Sequence, residues 1–303
     1  MITILGPTAT GKTRLAAELA HRIGGEVISA DSRQVYRGMD IGTGKDLQDY
    51  VVDGNVVPCH LTDIAEPGEE YNLFRFQRDF HQARQAILDR GKAPVLCGGS
   101  GMYLESVLLA YDLIRVPENN TLRKQLENLS RTELENILAS VKKLHNTTDT
   151  TNRKRLIRAI EIAKYYQENP GKSNNHFDPV ASDVFGVFFE REELRRRITQ
   201  RLKRRMEEGM IEEVKVLLKN GVNHGRLLFF GLEYRHVTLY LNDELTYDEM
   251  FTKLNTAIHQ FAKRQMTWFR RMEKKGIQIR WIDGKLSLSE KLGYILKHSD
   301  RDL

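Results

Sequence analysis

The chain opens on Ile2-Thr3-Ile4-Leu5, an apolar, β-branched run closed by Gly6 that predicts a short buried strand. Beyond Lys12 the pattern changes to a helical period. Leu15, Leu19 and Ile23 share a face with Ala16 and Ala20, and Gly24-Gly25 predicts the stop. Glu26 to Ala30 predicts a second strand that delivers Asp31 at its carboxyl end, and residues 56–64 read as another extended segment. Phe76, Phe80, Ala83 and Ile87 predict a helix over 74–90, ended by Gly91. Val95-Leu96-Cys97-Gly98-Gly99 repeats the strand-then-glycine order ahead of an apolar helix from Met102. Such alternation predicts βαβ units and a parallel sheet, whose ligands bind beyond the carboxyl ends of the strands.

From about Pro117 the character changes. Residues 121–168 are charged, almost free of glycine and helical in period through Leu122, Leu126, Leu129, Leu134, Ile137 and Leu138. Asn169 to Asn175 carries a loop signal, and Val184 to Phe189 returns to a strand. A basic helix follows from about Glu192, broken at Gly209, with a further helix ending near Gly221. Residues 247–274 predict a long helix and 277–282 a late strand.

At 303 residues the chain is long enough for about two structural units. Lys and Arg number 47 against 41 Asp and Glu, a net charge of +6, which with 40% apolar residues excludes a disordered chain. Cys59 and Cys97 are the only cysteines, which excludes a disulfide scaffold and a cysteine zinc site; Cys97 reads as a core residue. No apolar stretch reaches the roughly 18 residues of a membrane span, and no basic leader precedes the first strand. A cytoplasmic protein without membrane attachment is expected.

Gly6-Pro7-Thr8-Ala9-Thr10-Gly11-Lys12-Thr13 fits the phosphate-loop pattern G-x-x-x-x-G-K-[ST], with a strand before it and a helix after it. Its glycines let backbone N–H groups turn toward phosphate oxygens, and the helix N-terminus adds partial positive charge. Lys12 supplies a point charge, and Thr13 is placed to reach magnesium directly or through water. The fold class is therefore α/β, a P-loop NTPase-like parallel sheet flanked by helices. Residues 1–115 and 183–303 form this core with its basic C-terminal helices, and 116–182 form a mostly helical insertion domain. A small-molecule kinase using ATP is one reading of this loop. The strand ending at Cys97, however, runs into Gly98-Gly99-Ser100 with no magnesium-holding carboxylate.

Further motifs follow in order: Asp31-Ser32-Arg33-Gln34-Val35-Tyr36, Met39 to Thr43, Gly98-Gly99-Ser100-Gly101-Met102-Tyr103, and Asn152 through Arg155 to Glu161. Arg197-Ile198, Arg201, Met206, Gly209 to Val214 and Ala262 to Arg270 complete them. In this order they resemble the bacterial-type tRNA dimethylallyltransferases, which prenylate an adenine beside the anticodon. The resemblance implies dimethylallyl diphosphate on the loop, magnesium as cofactor, and attack by the exocyclic amine of the adenine with release of diphosphate. It implies Asp31 as general base, although a turn or N-cap aspartate is its plainer reading. Ser100 and Arg201 would stabilise the leaving group, beside the loop residues Gly6, Thr8, Ala9, Thr10, Gly11, Lys12 and Thr13.

Between Arg191 and Arg205 stand eight basic residues against Glu192 and Glu193, and between Lys253 and Arg280 eight against Glu273. By themselves such clusters are solvated helix faces; beside a base-modifying site they become phosphate contacts for a tRNA anticodon stem-loop. Asp31, Ser32, Arg33, Gln34, Tyr36, Ser100, Gln265 and Trp268 are candidates to hold the splayed base, Trp268 being equally a core residue. Lys263 and Arg264, with Arg123, Lys154, Arg155 and Arg158 in the insertion, are candidate tRNA contacts. A non-catalytic RNA-binding protein is the other alternative, and a monomer is expected. The chain departs from the family pattern at Gly44 and Asp46, where alanine and proline are favoured. It departs again at Phe229 to Tyr234, where many members carry Gln-Ala-Ile-Gly-Tyr.

Overall fold

Along the central strands alternate side chains go to opposite faces, and each face meets its own set of helices. The structure, a computed structural model, describes residues 1–141, 152–170 and 177–299, so the loop expected at Gly171 to Asn175 lies outside the described residues. β1 (Ile2–Leu5) leads through the glycine loop into α1 (Lys12–Arg22), and β2 (Glu26–Ala30) ends at Asp31. A 3-10 turn (Leu47–Tyr50) precedes an antiparallel hairpin of β3 (Val51–Val52) and β4 (Asn55–Val56), and β5 (Cys59–His60) is a two-residue edge strand. The extended segment expected over 56–64 is thus divided between two sheets. Pro58 interrupts it, and left-handed backbone at Leu61 (φ 63) and Asp63 (φ 54) ends it. Then come α2 (Leu73–Asp89), β6 (Pro94–Gly98) and α3 (Gly101–Leu108).

Two units form, Met1–Tyr111 with Asp178–Leu303, and Asp112–Phe177. In the second, α4 (Asn120–Glu127), α5 (Arg131–Val141) and α6 (Arg153–Glu168) bury Leu122, Leu126, Leu134, Leu138, Leu156 and Ile160 against one another. Its polar anchor is Glu161, 2% exposed, which accepts from the Asn119 N–H and from the guanidinium groups of Arg123 and Arg158. Burial alone would raise the Glu161 pKa, but these donors outweigh it and hold the carboxyl below its usual range.

The first unit resumes with β7 (Asp183–Phe188), α7 (Arg191–Glu207) and α8 (Met210–Lys219), the last two separated by Gly209 at φ 99. α9 (His224–Phe230), α10 (Leu232–Leu241), α11 (Tyr247–Lys274), β8 (Ile279–Asp283) and α12 (Leu288–His298) follow. The sheet order is β5-β2-β6-β1-β7-β8, parallel throughout. Ile28, Leu96 and Val184 pack with Phe76, Leu104 and Phe269 of the helices on one face. Ile4, Val27, Val95 and Phe185 pack with Leu15, Leu19, Leu292 and Ile295 of α1 and α12 on the other. Leu5 and Ala30 both pair with Gly98, so three strands end level and Gly6, Gly99 and Asp31 emerge side by side. At the usual strand spacing this puts Asp31 about 10 Å from the start of the glycine loop. Among the described residues no helix is long and apolar enough to cross a membrane.

Glu161→Gln is expected to lower the melting temperature at neutral pH and to cost less as the pH falls. A carboxyl whose pKa is depressed on folding contributes stability that is complete above its ordinary pKa and lost as pH falls through the folded value. Thermal unfolding of both proteins from neutral pH to about pH 3.5 checks this; a gap that does not narrow on acidification rules the origin out.

Candidate active site

The turn from β1 into α1 puts Ala9 at φ 64 and Gly11 at φ 76. A left-handed alanine costs about 1 kcal/mol, and Arg197 braces it by donating from Nε to the Ala9 carbonyl at 3.0 Å. Thr10 Oγ1 donates to the Pro7 carbonyl at 2.9 Å, so that hydroxyl stiffens the loop. Lys12 Nζ reaches the same carbonyl only at 3.4 Å, which leaves most of its donor capacity for a ligand. Burial lowers the Lys12 pKa and Arg201 adds to it, while Cys97, Asp31 and Asp46 pull the other way. An anion bound on the loop would push that pKa back up. Thr13 follows, half-buried.

Gln265 of α11 joins this loop to the neighbouring strand end. Its Oε1 accepts from the Thr8 N–H at 2.9 Å, and its Nε2 donates to the Gly99 carbonyl at 2.9 Å. A Cβ on residue 99 would stand 2.4 Å from that Nε2, so only glycine lets α11 come so close. The expectation that Gln265 reads a base is therefore corrected: it is buried, and both halves of its amide are engaged inside the protein. Trp268 lies so close over Gly101 that a Cβ there would meet its Cδ1 at 2.2 Å. The Arg271 guanidinium sits 4.8 Å from the ring centroid, and the indole Nε1 is buried without a hydrogen-bond partner among the described residues. Trp268 thus packs over the start of α3. Lys263 and Arg264, on the same helix, are exposed.

At the end of β2, Asp31 Oδ1 accepts from the Arg33 N–H at 2.9 Å. This side-chain turn orients the carboxylate and leaves Oδ2 without a hydrogen bond from the described residues. Turn-former and candidate base are therefore compatible roles. Ser100 Oγ accepts from the Ser32 N–H at 3.0 Å and donates to Ser32 Oγ at 3.4 Å, tying the ends of β6 and β2 together. Its hydroxyl faces the Asp31 turn and not the phosphate loop. Gln34 and Tyr36 are corrected as base readers, because both are buried. Gln34 bonds Ser29 Oγ at 3.2 Å and the Gly44 carbonyl at 3.0 Å, and the Tyr36 ring meets Phe230 edge-on at 4.8 Å. Arg33 stays half-exposed at the turn.

Spacing of four puts Arg197, Arg201 and Arg205 on one face of α7. Arg201 donates to Thr8 Oγ1 at 3.1 Å and to Asp46 Oδ2 at 2.5 Å. Burial would raise the Asp46 pKa, but Arg201 and Arg205 hold it below its usual range. Loop, 3-10 turn and α7 enclose a cavity of about 850 Å³, reached by Ala9, Lys12, Thr13, Asp46, Asp49 and Arg201. Its described lining carries seven Lys and Arg against four Asp and Glu, a surplus suited to an anion. Arg197, Arg205 and Asp46 were named from sequence only in a motif, a basic cluster and a departure from the family pattern, without a role at the site; the i, i+4, i+8 arginine stripe was the available signal. Among the described residues no group of three or more His, Cys, Asp or Glu could hold a metal. In the second unit Arg123 and Arg158, candidate tRNA contacts, are both ion-paired to the buried Glu161 and partly exposed. Lys154 and Arg155 are exposed at the start of α6.

The family model described as IPP transferase matches residues 34–272, and one described as isopentenyl transferase matches residues 1–56. A tRNA dimethylallyltransferase of Porphyromonas gingivalis is 58% identical over 297 residues, 98% of both chains. One from Bacteroides fragilis is 55% identical over 295 residues, 97% of this chain and 96% of that relative. The crystal structure of the tRNA isopentenylpyrophosphate transferase of Bacillus halodurans matches with TM-score 0.70 and 32% identity, covering 98% of this chain and 94% of that one. With both the P-loop core and the full length of its relatives matched, the chain belongs to the IPP transferase family, the tRNA dimethylallyltransferases.

Proposed function

We propose that the protein transfers the dimethylallyl group of dimethylallyl diphosphate to the exocyclic amine of the adenine 3′-adjacent to the tRNA anticodon, releasing diphosphate. The observation that carries this reading is the level ending of three strands, which sets an open carboxylate, Asp31 Oδ2, one strand away from an anion-binding loop. The amine nitrogen forms a bond to the first prenyl carbon as the bond from that carbon to the diphosphate oxygen breaks. The amine proton passes to Asp31, general-base help of about 10²–10⁴-fold. Negative charge growing on the diphosphate meets Lys12, the loop amides and Arg201 in a preformed arrangement. Ser100 acts on the other side, fixing the turn that aims Asp31.

Magnesium fits this site as a companion of the diphosphate. The donors present are the Thr13 hydroxyl on the cavity wall and, with substrate, phosphate oxygens and water, all hard oxygen ligands. When bound it would neutralise charge on the departing diphosphate. A kinase reading is disfavoured by the end of β6, where glycines and Ser100 stand in place of a carboxylate. Exposed Lys263 and Arg264 of α11, with Lys154 and Arg155 of α6, suit the phosphates of an anticodon stem-loop. Arg33 remains the side chain best placed to meet the splayed base beside Asp31. The acting unit in this reading is one chain in the cytoplasm.

The test is to incubate the protein with unmodified tRNA and either dimethylallyl diphosphate or ATP and weigh the nucleosides. A prenyl mass gain on adenosine with the first donor is expected; phosphate transfer from ATP overturns the reading. Asp31→Ala is expected to lower turnover by about 10²–10⁴-fold with tRNA affinity little changed. Near-normal turnover would remove Asp31 as the base. The Lys263→Gln/Arg264→Gln double variant is expected to weaken tRNA binding and flatten the log–log salt slope by about 1 to 2, and an unchanged slope returns both residues to ordinary surface.

A further inference from the structure

We infer that Arg205 is a second diphosphate-contacting residue of the donor site, standing beside Arg201. This rests on the proposed prenyl transfer. Arg205 lies on the wall of the cavity that Lys12 and Arg201 also line, with its side chain only 6% exposed. Its Nε and Nη2 are buried without any hydrogen-bond partner among the described residues. The nearest carboxylate, Glu233, approaches Nη1 only to 3.9 Å, beyond hydrogen-bond distance. A buried guanidinium with open donors is costly unless a ligand meets them. Burial lowers its pKa to about 10, so the group stays charged at neutral pH.

The surroundings are built to admit this cation. Gly44 sits at φ 65, and a Cβ there would stand 1.5 Å from Arg205 Nη2 and 2.6 Å from Arg201 Nη2. Two guanidinium groups therefore converge on one bare stretch of backbone, an arrangement that repels itself until an anion with several oxygens joins it. In the meantime Asp46 holds Arg201 at 2.5 Å, and Glu233 faces Arg205. Gly44 and Asp46 are departures from the pattern of the family. With the tyrosine of Gln-Ala-Ile-Gly-Tyr set on Tyr234, Glu233 stands in place of a glycine. Three positions at which the chain departs from that pattern, Gly44, Asp46 and Glu233, thus lie around Arg205 and Arg201. A diphosphate is the chemistry that matches two adjacent planar forks above a phosphate loop.

Calorimetric titration of magnesium diphosphate into the full chain tests this. Arg205→Gln is expected to weaken binding about 10- to 100-fold, and to raise KM for the prenyl donor without raising KM for tRNA. Glu233→Gln keeps the guanidinium and removes its rival anion, so it is expected to tighten diphosphate binding by about threefold or more. If Arg205→Gln fails to fold, Arg205→Gln/Glu233→Gln, which leaves no buried charge unpaired, takes its place with the same expected loss. Wild-type diphosphate affinity in the Arg205 variant, single or double, overturns the inference and leaves prenyl transfer standing. Absence of prenyl transfer by the unaltered protein overturns the underlying reading and this inference with it.

Discussion

One side-chain amide, that of Gln265, sets the relation between the two glycine turns on which the site is built. Its oxygen takes the N–H of Thr8 and its nitrogen gives to the carbonyl of Gly99, so α11 fixes the ends of β1 and β6 from above. A phosphate loop alone could tilt as a flexible hoop. Tied at Thr8 it keeps its remaining N–H groups aimed, and Arg201 reinforces the same residue through Thr8 Oγ1. Ser100 repeats the device one strand further on, joining β6 to the Asp31 turn. Phosphate loop and candidate base are each tied by polar contacts to the end of β6 between them, which is preorganisation in the sense that matters for a developing charge.

The electrostatics follow from that geometry. α7 buries Ile198 and Leu202 in the core and is basic elsewhere, but its basic residues differ in use. Arg196 pairs with Glu193 on the exposed face and Arg204 with Glu208 on the cavity lining, while Arg197 and Arg201 bond the loop and Arg205 is buried in the cavity wall. Arg197 stabilises a left-handed alanine, Arg201 holds a threonine hydroxyl and an aspartate, and Arg205 stays open. The global surplus of six positive charges says little about this division. What decides it is which side of the helix each residue occupies, and which of them has a carboxylate within reach.

Much of the fold was legible because glycine punctuation and hydrophobic period agreed. β1, β2, β6 and β7 lie where short apolar runs end in glycine or a polar residue, and Tyr247–Lys274 has the bounds that its period gave. α9, α10 and α12 were not read, though Ser287 and Glu290 form a capping box ahead of α12. At the site, motif residues were found but their partners were not. Gln34, Tyr36 and Gln265 look like reading residues in a string of letters. Only packing shows that Ser29, Gly44, Phe230 and the two glycine turns already occupy them. Packing likewise shows that Arg123 and Arg158 share a buried carboxylate, Glu161, as ion-pair partner.

The level strand ends have a metric consequence. β6 lies between β1 and β2, so the candidate base and the first glycine of the loop are separated by two strand spacings, about 10 Å. The attacking nitrogen, the prenyl carbon and the leaving oxygen span about 5 Å in line, and the carboxylate's hydrogen bond of about 2.8 Å meets the nitrogen at an angle to that line. The intervening strand therefore sets the room in which amine and prenyl carbon would meet. Were β1 and β2 neighbours, the two turns would start only about 5 Å apart, with no room for both.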